Sequence, residues 1–254
     1  PRLGRCARPM ERSQPGTRCL QSGCIRTGAD STRPARRAAT NLTSNAHTLQ
    51  DSCPAMWCNW GMKILVFAGS TRRQSFNRKL ASVVATMATA SGATVNHIEL
   101  ADFDIPMYNA DLEAEGTPAD VMRLKALMHE ADGWLVCTPE YNASYPALVK
   151  NTFDWVSSPV KGNADWSDGF KSSRGKVVGI LSASPGALGG LRSQSHLAPL
   201  LLNLHCWVAP QNYALGRAGD AFDDQGQLVN EAARKSVQAV IDQVIWASAR
   251  LNTQ

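Results

Sequence analysis

Ile64-Leu65-Val66-Phe67-Ala68-Gly69-Ser70-Thr71-Arg72-Arg73-Gln74-Ser75-Phe76-Asn77 passes from a continuous apolar run to a turn of small and hydroxyl residues, then into a helical pattern. An apolar run this short is what a strand covered on both faces looks like. Beyond it, Phe76, Leu80, Val83, Val84 and Met87 recur at helical spacing, and Gly92 ends the pattern. A strand that feeds a helix through such a turn leaves unpaired backbone N–H groups and the positive end of the helix dipole aimed at one spot. Ser70, Thr71 and Ser75 add hydroxyl donors, Asn77 an amide and Arg72 a guanidinium, which makes the loop a candidate phosphate cradle. An ordinary capped turn, with Ser70 or Thr71 as N-cap and both arginines in solvent, fits the same residues equally well. The stretch is neither G-x-G-x-x-G nor a Walker loop. A phosphatase loop built on a cysteine nucleophile is excluded, because no cysteine lies between Met62 and Cys137.

The strand-then-helix alternation continues downstream. Residues 94–100 read as a second strand, 101–118 as a loop, and Val121, Leu124, Lys125 and Met128 as the stripe of a second helix. Residues 133–138 form a third strand and 146–156 a third helix with proline at its start. A polar excursion over 157–174 leads to a fourth strand at 176–181, a glycine-rich segment at 182–190 and a helix over 191–204. Residues 207–215 supply a fifth strand, and 230–251 the last helix, with Val237, Val240, Ile241, Val244 and Ile245 as its buried face. Five such units predict an α/β fold, a doubly wound five-stranded parallel sheet of order 2-1-3-4-5 with right-handed crossovers. In that topology the ligand crevice opens at the carboxyl ends of strands one and three, so the segment after strand three faces the Ser70 loop.

Composition divides the 254 residues near Met62. Residues 1–61 hold nine arginines, no lysine and three acids, whereas 62–254 hold 17 basic and 18 acidic residues, so the formal charge of +5 belongs to the leader. The body is close to neutral, and no nucleic-acid partner is expected for it. The leader lacks apolar periodicity and reads as disordered. An organellar transit peptide, a redox or metal segment and a stretch foreign to the working protein all fit it; the last is preferred, since Met62-Lys63 immediately precedes the first strand. Its five cysteines include two C-x4-C pairs, wider than zinc spacing, so no metal site is expected. Cys137 and Cys206 in the body read as buried packing residues. No apolar run approaches eighteen residues, which predicts no membrane partner and a cytoplasmic domain.

The segments expected to face the loop are Thr138-Pro139-Glu140-Tyr141-Asn142 and Ser182-Ala183-Ser184-Pro185-Gly186-Ala187-Leu188-Gly189-Gly190. The combination G-S-x-R-x-x-S-x-N, P-E-Y-N and K-N-x-x-D-W resembles the NADPH-dependent FMN reductase family, flavodoxin-like enzymes that include quinone, azo-dye and chromate reductases. The resemblance spans residues 62–254 and none of the leader. It implies that Ser70, Arg72, Ser75 and Asn77 hold the FMN phosphate and that Pro139, Glu140, Tyr141 and Asn142 contact the isoalloxazine. It further implies that Ser184, Gly186, Gly189 and Gly190 wall the site, where absent Cβ atoms allow close approach. NADPH or NADH would be co-substrate, hydride would pass through FMN to a quinone or similar small acceptor in a ping-pong scheme, and the protein would be a homodimer or homotetramer.

Simpler roles compete with several of these. Tyr141 reads equally as a surface tyrosine and Glu140 as a solvated acid, while Asp154 and Trp155 suit helix packing or subunit contact. His97, His129, His196 and His205 lack a second metal-type ligand at i+4 and are read as structural. No Ser-His-Asp set or carboxylate pair stands out, in keeping with chemistry carried by a cofactor rather than by a protein nucleophile. A flavodoxin-type electron carrier and a non-catalytic flavin-binding sensor are the rival functions; the first is disfavoured by the near-neutral body and by Arg72 in the loop.

Overall fold

The structure, a computed structural model, describes residues 61–251. These lie within one unit, Cys53–Gln254, and the leader readings, apart from Gly61, fall outside them. Strand β1 (Lys63–Ala68) is buried along all but its first residue. It sits between β2 (Thr94–Ile98) and β3 (Gly133–Cys137), and β4 (Val177–Ala183) follows β3, all parallel. The alternating side chains of these strands feed two separate cores. Ile64, Val66, Leu135, Cys137, Val177 and Leu181 pack beneath α1 (Phe76–Ala90) and α6 (Glu231–Leu251). Leu65, Phe67, Trp134, Val136, Val178 and Ile180 face α3 (Ala119–Glu130), α4 (Ala147–Val156) and α5 (Leu191–Asn203). With both faces covered, the central strands need no polar side chains, which is why β1 and β3 read as unbroken apolar runs.

The sheet order is β2-β1-β3-β4-β5, as the alternation predicts, with one change at the edge. The expected fifth strand is two short ones, β5 (Trp207–Val208) and β6 (Tyr213–Leu215), each pairing parallel with β4. Pro210 lies in the gap and has no N–H for a ladder. Asn212 Oδ1 instead accepts from the Ile180 amide at 3.3 Å, a side chain serving where the strand cannot. A second difference is α2 (Ala110–Glu115), one short helix inside the predicted 101–118 loop, started by Asn109, whose side chain accepts from the Asp111 amide at 2.8 Å.

Lys125, read from sequence as part of an apolar stripe, is fully buried and donates to the carbonyls of Val156 at 2.8 Å, Ser158 at 2.6 Å and Trp155 at 3.4 Å. It therefore caps the negative end of α4. The K-N-x-x-D-W motif is structural in the same helix. Asn151 accepts from the Tyr108 amide at 2.7 Å and donates to the Pro106 carbonyl at 2.9 Å, and Trp155 Nε1 donates to that carbonyl at 2.8 Å. The loop after β2 is thereby stapled to α4, while Lys150 and Asp154 form an exposed ion pair. Cys137 and Cys206 are both buried and unpaired. Burial pushes both thiols up, Cys206 to about 12, so neither is a thiolate nucleophile near neutral pH. No helix among the described residues is long and apolar enough to cross a membrane.

Candidate functional site

Three loops meet at the carboxyl end of the sheet. A cleft of about 140 Å³ is lined by Arg72, Ser75, Phe76 and Asn77 after β1, by Pro139, Glu140 and Tyr141 after β3, and by Ala183, Ser184 and Pro185 after β4. A second hollow of about 300 Å³ is lined by Gly69 to Arg72, by Tyr141, and by Pro146, Ala147 and Leu148 at the start of α4. Arg72 and Tyr141 border both, so the two are neighbouring parts of one crevice at the predicted switch point.

The end of the crevice at α1 has the features of an anion site. Ser75 is the N-cap of α1, not Ser70 or Thr71, yet its side chain makes no capping hydrogen bond, and the first turn contains no acid. The positive end of a 15-residue helix thus has no acid in its own first turn to offset it. Ser70 and Ser75 are buried, and Ser70 Oγ accepts from the Arg72 amide at 3.4 Å. Arg72 is exposed, lies 5.9 Å from the Phe76 ring centroid and pairs with no carboxylate among the described residues. Asn77 is placed differently from a free ligand. Its amide exchanges two hydrogen bonds of 2.9 Å with the backbone of Ala183, which leaves one amide hydrogen unused.

After β3 the chain forms a tight hairpin. Tyr141 and Ser144 exchange backbone hydrogen bonds of 2.9 and 3.0 Å, and Asn142 and Ala143 between them have φ of 50° and 65°. These are the left-handed values of a primed turn, tolerated by Asn and strained for Ala. The turn leaves Tyr141 53% exposed at the crevice mouth. Glu140 borders the cleft, but its carboxylate turns to α5. Oε1 accepts from Arg192 Nε at 2.7 Å and Oε2 from the Arg192 amide at 3.2 Å.

The glycine-rich loop joins the crevice chiefly through Ser184 and Pro185. Gly189 and Gly190 have φ of 63° and 91°, and the close approach they permit is to the protein itself. A Cβ on Gly189 would lie 2.6 Å from the Ala214 carbonyl carbon, and one on Gly190 would lie 2.9 Å from Ser182. Gly186 has room, its nearest neighbour being Ser184 Oγ at 3.6 Å. The loop is held from behind, where Ser182 Oγ donates to the Gly189 carbonyl at 2.7 Å and buried Gln194 donates to Ser182 Oγ at 2.7 Å. Phe76, Ala183 and Pro185 line the cleft although the sequence marks none of them as a binding residue; each flanks a motif residue and carries no polar signal of its own.

The assembled geometry can hold a phosphate monoester at the α1 end and a flat aromatic group beside Tyr141. Comparison with known proteins points the same way. The pattern of the family described as NADPH-dependent FMN reductase matches residues 62–220. The chain is 36% identical over 181 residues to a quinone reductase of Pseudomonas putida, covering 70% of this chain and 90% of that one. It is 33% identical over 192 residues to a 2-hydroxy-1,4-benzoquinone reductase of a Burkholderia species, covering 74% and 98%. Among solved structures, the flavoenzyme NAD(P)H:(acceptor) oxidoreductase FerB of Paracoccus denitrificans superposes with a TM-score of 0.64 at 29% identity, covering 75% of this chain and 98% of that one.

Proposed function

The chain belongs to the NADPH-dependent FMN reductase family, and from that premise we propose that it is an FMN-dependent NAD(P)H oxidoreductase that reduces quinones or similar small acceptors. The observation that carries the reading is the acid-free, side-chain-uncapped start of α1, with Ser75 buried beside Arg72, which pairs with no carboxylate among the described residues, and facing Tyr141 across one crevice. That donor set suits a dianionic phosphate, and the hollow beyond Tyr141 suits a planar ring. When bound, FMN supplies the two-electron chemistry, taking a hydride equivalent from NADPH or NADH and giving electrons to the acceptor.

In this reading Ser70, Arg72 and Ser75 hold the phosphate, with Asn77 contributing its remaining amide hydrogen. Pro139, Glu140, Tyr141 and Asn142 form the wall along the ring, and Ser184 with Gly186 forms the opposite side, while Gly189 and Gly190 hold that loop against Ala214 and Ser182 from behind. The protein needs no nucleophile or metal ligand there; its residues fix the ring and leave one face open at the exposed Tyr141 side. A single crevice for donor and acceptor implies alternating occupancy, hence ping-pong order. Met107, Leu188 and Leu191 are 70%, 57% and 53% exposed, apolar surface of the kind a homodimer covers. We place the protein in the cytoplasm and expect residues 62–254 to suffice for binding and turnover.

Extraction of the bound flavin tests the cofactor assignment. FMN should be the dominant species, because the crevice has donors for one terminal phosphate and the chain carries no second nucleotide fingerprint. Recovery of FAD would contradict it.

A further inference from the structure

Resting on the FMN-site reading above, we infer that α5 sets the position of the P-E-Y-N hairpin and that Arg192 is the positioning residue through which it does so. Glu140 and Ser144 stand on the two arms of that hairpin, and each is tied to α5. Glu140 receives both the guanidinium and the backbone amide of Arg192. Four residues further along the same helix face, His196 Nδ1 lies 3.1 Å from Ser144 Oγ.

The hairpin needs this support. Two backbone hydrogen bonds close it, its turn holds Ala143 in the left-handed region, and Tyr141 projects into solvent. A two-residue hairpin of that length is not self-supporting. The Glu140 side chain is only 10% exposed while that of Arg192 is 58% exposed, so the contact is a half-buried clamp with its cation on the outside. Because α5 begins at the end of the glycine-rich loop, the clamp also fixes the spacing between the loops after β3 and β4. Arg192 lines neither part of the crevice, and it acts on the ligand only through Glu140.

The test uses the full chain freed of flavin, its Arg192→Ala, Arg192→Lys and Glu140→Gln variants, and the Glu140→Gln/Arg192→Ala double variant. FMN affinity is read by fluorescence titration, and amide hydrogen exchange is read at Tyr141 and Ser144. Arg192→Ala and Glu140→Gln should each weaken FMN binding about tenfold, the double variant should be no weaker than either single, and Arg192→Lys should recover part of the loss. Exchange at the two hairpin amides should accelerate in Arg192→Ala even without FMN. Unchanged exchange in Arg192→Ala would overturn the clamp, as would losses that multiply in the double variant, since Arg192 would then act on the ligand by a route other than Glu140. Failure of the unsubstituted protein to bind FMN would instead overturn the site reading, and the exchange measurement would still decide the clamp.

Discussion

Asn77 and Ala183 exchange two hydrogen bonds of 2.9 Å, Nδ2 donating to the Ala183 carbonyl and the Ala183 amide donating to Oδ1. A side chain in the first turn of α1 thereby completes the β4 ladder as a neighbouring strand would. The two loops that face each other across the crevice are locked in register by that contact.

Replacing Asn77 with alanine should cost about 2–4 kcal/mol of stability, because it orphans a buried N–H and a buried C=O together. Asn77→Asp should not restore it, since a carboxylate would face the Ala183 carbonyl. Urea unfolding of the flavin-free protein measures both. A loss below about 0.5 kcal/mol, the range of ordinary surface substitutions, would show that the tie is dispensable.

Arg72→Ala should separate binding from folding. Arg72 is exposed and pairs with no carboxylate among the described residues, so the unfolding midpoint of the flavin-free protein should not move. FMN binding should weaken by about 1.5–3 kcal/mol, the range for hydrogen bonds to charged groups. An unchanged FMN dissociation constant would return the arginine to solvent.

The sequence carried the strand order and the β1 loop because both depend on local signals, apolar runs and the small, hydroxyl-rich turn between them. Glu140 was legible as a site residue, but the side chain that occupies its carboxylate is 52 positions away. Arg192 follows the glycine-rich segment with nothing nearby to mark it. Lys125 fell on an apolar stripe because its stem packs like a leucine, while its ammonium meets carbonyls more than thirty residues later. Pro210 was the available hint that the fifth strand breaks. For Gly189 and Gly190 the residue type was informative but the neighbour was not, since the close approach is to Ala214 and Ser182.

Ala143→Gly should stabilise the protein by about 0.5–1 kcal/mol, relief of left-handed strain outweighing the extra freedom of glycine in the unfolded chain. Its φ of 65° is the reason. Thermal unfolding decides the matter, and a lowered midpoint would mean that the Ala143 methyl makes packing contacts worth more than the strain.

Lys125 gives a distinctive pH dependence. Burial pulls its ammonium from 10.5 down to about 8. Between those values the unfolded chain holds a proton that the folded chain has released, so this group's contribution to stability rises with pH across the window. Lys125→Met should abolish that rise and, at neutral pH, cost about 1–3 kcal/mol for each carbonyl left without a donor. Urea unfolding at pH 7, 8, 9 and 10 for both proteins measures the difference. Parallel profiles would show that Lys125 keeps an ordinary affinity for its proton.

The most direct test of the reductase reading is the steady-state oxidation of NADPH by the FMN-loaded protein with benzoquinone as acceptor, against free FMN at the same concentration. The account predicts NADPH consumed in one-to-one proportion to quinone, at a rate far above the free-flavin control and lost when flavin is removed. Tight FMN binding with NADPH oxidation no faster than that control would contradict it and leave an electron carrier or a flavin-binding sensor.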